Sequence, residues 1–153
     1  MNEVDSDDIE VFVEAVEAYF QVTTRERAIV RSAYLLEKRA PFPLSDFTGA
    51  IALSGACRGT VCFSAPRGML SHLLLKSGEQ DYSDTAHCDL VGEIANQFAG
   101  RARRHFGDKM IISPPTAFMG VGHLAPRLAE TIPFVVPLTW QNYEGVLVVH
   151  IEL

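Results

Sequence analysis

Apolar side chains recur every three or four residues near the N-terminus, the spacing that places them on one face of an α-helix. The repeating positions are Ile9, Phe12, Val13, Val16, Tyr19 and Phe20. Acidic and hydroxyl side chains cluster at the start of this run, from Asp5 to Asp8. They accept hydrogen bonds from the free N–H groups of a helix start, and the helix dipole favours their negative charge. The pattern predicts a helix over residues 5–20.

Shorter apolar segments, bounded by glycine, proline and polar residues, follow later in the chain. They predict strands at residues 47–54, 60–64, 109–112, 134–140 and 146–152. Residues 28–36 fit a strand or a short helix, of which we favour the strand. Glycines within residues 55–59 suit a hairpin turn between two of these strands, and residues 142–145 join the last two. The final strand alternates Leu147, Val149 and Ile151 with Val146, Val148 and His150. Since most of both faces are apolar, we expect this strand to lie inside a sheet.

Two further helices are predicted between the strands. Ser64 as a cap and Pro66 in the first turn favour a helix that ends near Ser77, before Gly78. A longer helix runs from Ser83 or Asp84 to Phe106, and Gly107 ends it. A glycine-containing loop with Gly120 and Gly122 follows residues 113–116. These elements indicate an α/β or α+β protein in which helices pack on one sheet, as one domain over residues 1–153.

Composition and charge exclude several classes of protein. The chain has 153 residues, of which 48% are hydrophobic and 21% charged, as in ordinary globular proteins. A formal charge of -6 argues against nucleic-acid binding, which needs a basic face. Three cysteines without a CxxC pair indicate reduced thiols, with Cys57 and Cys62 buried. The acidic N-terminus is unlike a signal peptide, and no apolar run approaches the roughly 20 residues of a membrane span, so we expect a cytoplasmic protein without membrane insertion.

The longest predicted helix has one apolar and one polar side at 100° per residue. The apolar side carries Leu90, Val91, Ile94, Ala95, Phe98 and Ala102, and the polar side carries Asp89, Glu93, Asn96, Gly100 and Arg103. A polar outer side is the ordinary expectation for a surface helix. However, asparagine and glycine both disfavour a helix interior. Their presence on one stripe suggests a partner that approaches closely, with Gly100 admitting it to the backbone.

Other reactive side chains have simpler interpretations. His87 and Cys88 lie on or beside the apolar side of the long helix, so we expect them to pack in the core. Asp89 and Glu93 are one turn apart, but no third ligand at suitable spacing completes a metal site. Arg101, Arg103 and Arg104 suit the negative end of the helix dipole. The sequence therefore predicts no metal site of its own.

The long helix resembles the signature of the CheC/CheX/FliY chemotaxis phosphatases. Glu93-Ile94-Ala95-Asn96 is followed by a small-residue Ala-Gly element at Ala99-Gly100, and Asp89 occupies the position four residues before Glu93. The segment Ser113-Pro114-Pro115-Thr116, followed by Gly120, is similar to the family's Pro-Pro segment. With one Glu-x-x-Asn per chain, the sequence is more similar to CheX, which works as a homodimer, than to CheC, which has two sites. Arg101 stands where many relatives have a second asparagine.

The resemblance implies a single CheC-like domain, mostly an antiparallel sheet with long helices packed on it. It implies a phosphatase that hydrolyses the aspartyl phosphate of a CheY-type response regulator. Asn96 would orient the attacking water, because a carboxamide donates and accepts hydrogen bonds at once. Glu93 would pair with a lysine beside the phosphorylation site, with Asp89 and Gly100 contributing to binding. Any Mg²⁺ would belong to the partner. The alternative is a non-catalytic module of the same fold that binds a regulator or assembles with a larger machine.

Overall fold

The computed structural model describes residues 4–37, 40, 43–120 and 132–152. Within these ranges, one helix is followed by three strands, two further helices and four strands. The helices are α1 (Ser6–Thr24), α2 (Arg67–Lys76) and α3 (Asp84–Phe106). The strands are β1 (Tyr34–Leu35), β2 (Phe47–Gly55), β3 (Arg58–Ala65), β4 (Met110–Ile112), β5 (Thr116–Met119), β6 (Phe134–Trp140) and β7 (Tyr143–Glu152).

The first helix forms as the apolar spacing predicts, and it is one turn longer at its C-terminal end. Asp5 is the N-cap, and the side chains of Asp5 and Asp8 each accept a hydrogen bond from the other residue's backbone N–H, at 2.9 and 3.0 Å. This reciprocal arrangement is a capping box. The helix ends at Arg25, whose left-handed φ of 61° stops the regular backbone.

The strands form one antiparallel sheet in the order β1-β6-β7-β3-β2-β4, and β5 also pairs with β2. This confirms the predicted sheet with helices packed on it. The last strand, β7, pairs with β6 on one side and β3 on the other, so it lies inside the sheet as predicted. Strands β4 and β5 pair with successive parts of β2, on its edge away from β3. Residues 113–115 connect them along this edge of the sheet.

Several predicted boundaries were wrong. The segment 28–36 forms only the short β1 and an isolated bridge between Ile29 and Thr139. Strand β5 was not predicted, because its short sequence after two prolines carries little strand signal. The last hairpin turns at residues 141–142, where Gln141 has a φ of 56°, and Gly145 therefore lies within β7. Gly122 lies outside the described residues.

Ser64 does not cap α2 as predicted. Strand β3 continues to Ala65, and the Ser64 hydroxyl lies 2.9 Å from the Thr48 hydroxyl of the neighbouring strand. The N-cap of α2 is Pro66, which supplies no side-chain hydrogen bond. The carboxylate of Asp46 instead accepts a hydrogen bond from the Arg67 N–H at 2.9 Å. A residue distant in sequence thus satisfies a helix start that the local sequence leaves unpaired.

The helices pack on one face of the sheet. Helix α3 contacts β2 and β3, while α1 and α2 both contact α3. Side chains between these layers form the main core, which includes Phe12, Phe20, Phe63, Phe98 and Trp140. A smaller apolar cluster lies on the opposite face, where Leu36 packs with Cys62, Val135, Val146 and Val148. Cys57 and Cys62 are both buried, as predicted.

Candidate functional site

The candidate site lies on α3, whose bounds match the prediction. The Ser83 side chain accepts a hydrogen bond from the Ala86 N–H at 3.2 Å, which caps the helix start. Gly107, at a φ of 103°, ends the helix. The predicted apolar side is buried in the core, except that Leu90 is only partly buried.

Two glycines bring α3 unusually close to the sheet. A Cβ atom on Gly49 of β2 would lie 2.4 Å from the backbone oxygen of Val91, a distance that real Cβ atoms essentially never show. A Cβ atom on Gly92 would lie 3.3 Å from the Cβ of Pro115. The helix backbone therefore rests directly on β2 and against the Pro-Pro segment. This contact determines how far the outer side of α3 stands above the sheet.

The predicted site residues all reach the surface along the outer side of α3. Asp89 and Glu93 are exposed, while Asn96 and Gly100 are partly exposed. Glu93 and Asn96 are three residues apart, so their side chains emerge as neighbours. Apart from its chain neighbours and the backbone of its own helix, a Cβ atom placed on Gly100 would have no described residue within 4 Å. Packing within the described chain does not require this glycine, which leaves its backbone open to a partner.

Glu93 has neighbours that the sequence analysis did not connect with it. The side-chain N–H of Gln97 donates a hydrogen bond to the Glu93 carboxylate at 3.1 Å. Tyr19 of α1 also lies close enough for its pKa to respond to Glu93. Burial and, to a smaller extent, the Glu93 charge raise the pKa of Tyr19 to about 12, against a hydrogen bond with Thr23 that lowers it. The four-residue spacing from Glu93 to Gln97 was the sequence signal for the first contact.

The structure brings only some of the predicted residues into a common groove. Asp89 and Glu93 line a groove between α3 and the end of α2. Asn96 and Gly100 lie on the following turns of α3, outside the described lining of that groove. The outer side of α3 therefore has two parts: an acidic groove at one end and a more open surface around Asn96 and Gly100.

Other predicted side chains have structural roles. His87 is buried and lies 2.7 Å from both the Ser71 hydroxyl and the Ser83 carbonyl oxygen, which confirms its interpretation as a core residue. Cys88 packs against the core and is partly buried. The Arg103 guanidinium donates to the carbonyl oxygens of Met110 and Asp108 at 2.9 and 3.2 Å. Arg103 thus ties the end of α3 to the following strand.

Clustered metal ligands and membrane-spanning helices are both absent from the part of the chain that the structure describes. Nowhere in the described ranges do three or more His, Cys, Asp or Glu side chains form a group able to hold a metal ion. None of the three described helices combines the length and apolarity required to cross a bilayer.

Comparison with known proteins extends this picture. The family model described as chemotaxis phosphatase CheX matches residues 47–139, which include all of α3 and the Pro-Pro segment. A search of curated proteins returns no match.

Solved structures share the fold at low sequence identity. The chemotaxis protein CheX of Vibrio vulnificus superposes with a TM-score of 0.80 at 19% identity, over 96% of this chain and 100% of the other. A putative chemotaxis protein of Desulfovibrio vulgaris Hildenborough superposes with a TM-score of 0.78 at 18% identity, over 99% of this chain and 100% of the other. A chain from the CheX-CheY-BeF3-Mg²⁺ complex of Borrelia burgdorferi superposes with a TM-score of 0.74 at 15% identity, over 99% of this chain and 100% of the other.

Proposed function

This chain belongs to the CheX family of chemotaxis phosphatases, and we propose that it hydrolyses the aspartyl phosphate of a CheY-type response regulator. The observation that carries the proposal is the joint exposure of Glu93 and Asn96 on one side of α3, beside the open backbone of Gly100. The Borrelia burgdorferi relative, which was crystallised with CheY, supports a regulator of this type as the partner.

The chemistry requires little from the enzyme beyond positioning. An acyl phosphate is already activated, so hydrolysis is accelerated chiefly by a water held in line with the leaving aspartate oxygen. Asn96 is suited to this role because its carboxamide both accepts a hydrogen bond from the water and donates one to the phosphoryl group. Its place on a long helix held to the sheet by Gly49 and Gly92 limits movement of the backbone that carries it.

Glu93 has the wrong charge to approach a phosphoryl group and instead binds the partner. Its exposed carboxylate would pair with a lysine beside the phosphorylation site. The hydrogen bond from Gln97 restricts the carboxylate before the partner arrives. Any Mg²⁺ would belong to the regulator, where it would neutralise charge on the phosphoryl group.

The decisive experiment compares phosphoaspartate decay with the wild-type protein and with Asn96→Ala. We expect the variant to bind the regulator normally but to lose about 10²–10³-fold in turnover at saturation, as when one preorganised polar group is removed from an active site. Glu93→Ala should mainly raise KM, because it removes a charge contact with the partner. Gln21→Ala, which changes an exposed carboxamide on α1, is the matched control and should behave as wild type.

The result also decides between catalysis and binding alone. If Asn96→Ala retains full turnover at saturating regulator, the proposed role of Asn96 is wrong. If the wild-type protein binds the phosphorylated regulator without accelerating its decay, the protein is instead a binding or assembly module of the same fold.

A further inference from the structure

The groove between α3 and the end of α2 has a lining of mixed character. Its volume is about 440 Å³, and four carboxylates line it: Glu79, Asp81, Asp89 and Glu93. Leu74 and Leu90 supply apolar surface between them. No lysine or arginine belongs to its described lining. Lys76, the nearest cation along α2, pairs with Glu26 at 2.6 Å. The groove therefore presents negative charge around an apolar strip.

The loop that forms one wall of the groove is held in place by its own hydrogen bonds. The Glu79 N–H donates to the Leu74 carbonyl oxygen at 3.0 Å, and the Tyr82 hydroxyl donates to the Glu79 carbonyl oxygen at 2.9 Å. The Asp81 carboxylate accepts a hydrogen bond from the Ser83 N–H at 2.9 Å. These bonds fix the backbone at Glu79 and orient the Asp81 carboxylate before any partner binds.

Two exposed apolar side chains follow lining residues of the groove in the chain. Leu75 and Tyr82, the residues next in the chain to Leu74 and Asp81, are 64% and 42% exposed. Burial raises the pKa of the nearby Cys88 thiol, and the charges of Asp84 and Asp89 raise it further. Apolar side chains among carboxylates, with no lysine or arginine in the described lining, match a ligand that is both apolar and cationic.

We infer that this groove binds a basic, amphipathic segment of the response regulator, next to the regulator's phosphorylation cleft. The inference rests on the proposed function, since Glu93 belongs both to the groove and to the proposed contact with the cleft. A regulator seated on Glu93 and Asn96 would cover the groove with the surface beside its cleft. Regulators that carry lysine or arginine together with an apolar side chain on that surface would bind best. The groove thereby selects among regulators that share the same phosphorylation chemistry.

The test uses variants that remove charge without removing hydrogen-bond acceptors. The double variant Glu79→Gln with Asp81→Asn removes two charges. The side-chain oxygen at position 81 can still accept the hydrogen bond from the Ser83 N–H. The double variant Glu10→Gln with Glu14→Gln makes the same charge change on exposed residues of α1 and is the matched control. Leu75→Ser tests the apolar contribution of the side chain next to Leu74, which is already largely exposed.

Binding is measured by fluorescence anisotropy with labelled CheY-type regulators loaded with Mg²⁺ and beryllofluoride, at low and high salt. We expect the double groove variant to raise Kd about 10-fold at low salt, since exposed ion pairs each contribute up to about fivefold. The effect should shrink at high salt, because exposed charges are screened. Leu75→Ser should raise Kd about fivefold. In the phosphatase assay the groove variants should raise KM and leave kcat unchanged.

The outcomes separate this inference from the proposed function. If the groove variants bind as tightly as wild type while Glu93→Ala binds weakly, the inference is wrong and the proposed function stands. If the control pair weakens binding as much as the groove pair, the effect is overall charge and the inference is also wrong. If groove variants weaken binding but Asn96→Ala retains turnover, the groove assignment stands and the catalytic proposal fails. If no regulator binds the wild-type protein, both fail.

Discussion

Replacing Gly100 with alanine should stabilise the protein and weaken its interaction with the regulator at the same time. Gly100 lies within α3, where glycine costs about 1 kcal/mol relative to alanine. Beyond the adjoining backbone of α3, no described residue lies within 4 Å of the added Cβ, so the substitution meets no steric penalty within the described chain. The free energy of unfolding should therefore rise by about 1 kcal/mol, and Tm by roughly 2–4 °C.

The effect on function depends on the partner rather than on the fold. If a regulator approaches the α3 backbone at Gly100, a methyl group there holds the two surfaces apart. A displacement of about 1 Å at the reacting groups is enough to lower turnover by about 10²-fold. We therefore expect Gly100→Ala to lower kcat/KM by at least 10-fold while the protein itself becomes more stable.

Two measurements check this prediction: urea unfolding monitored by circular dichroism, and regulator dephosphorylation. Gly78→Ala is a useful control for the assay, since this loop glycine also has open space around it but adopts a positive φ of 79°. It should lose stability without a direct effect at Asn96. A Gly100→Ala protein that is less stable than wild type would refute the packing argument. One that is more stable and fully active would refute the argument that a partner approaches there.

Three other predictions concern the helix–sheet contact, the oligomeric state and metal content. Gly49→Ala should destabilise the protein by about 1–3 kcal/mol in urea unfolding, because its Cβ would force Val91 and α3 away from the sheet; unchanged stability would contradict this. The protein should sediment as a homodimer at micromolar concentration, given one site per chain, and a species of 16.9 kDa alone would argue against it. Elemental analysis of the purified protein should find no stoichiometric zinc or magnesium, and finding either at Asp89 and Glu93 would overturn their assigned roles.

Local signals in the sequence were enough to predict that three helices form, the bounds of α3 and the pattern of exposure on α3. Helix periodicity and capping depend on residues within a few positions of each other, so Ser83, Gly107 and the apolar side of α3 were predictable. The same periodicity placed Asp89, Glu93, Asn96 and Gly100 on the outer side, where the structure has them exposed or partly exposed. The alternating faces of the last strand were predictable for the same reason.

Contacts between distant residues were decided only by the tertiary structure. Ser64 looked like a helix cap, but pairing of β3 with β2 placed its hydroxyl against Thr48 instead. The close packing of α3 on the sheet depends on two glycines. Gly49 lies against the backbone of Val91, and Gly92 lies against the side chain of Pro115. No local pattern records such contacts, because each glycine is required by the backbone or side chain of a segment far away in sequence.

The acidic groove also depends partly on local sequence and partly on contacts that only the tertiary structure makes. Glu79 and Asp81 belong to a loop with no motif of its own, and Asp89 and Glu93 belong to the polar side of a helix. The sequence alone determined that each of these side chains is charged and suited to the surface. Only the packing of α2 against α3 brings them around one apolar strip, because helix packing depends on the shapes of the whole buried faces and not on the exposed residues themselves.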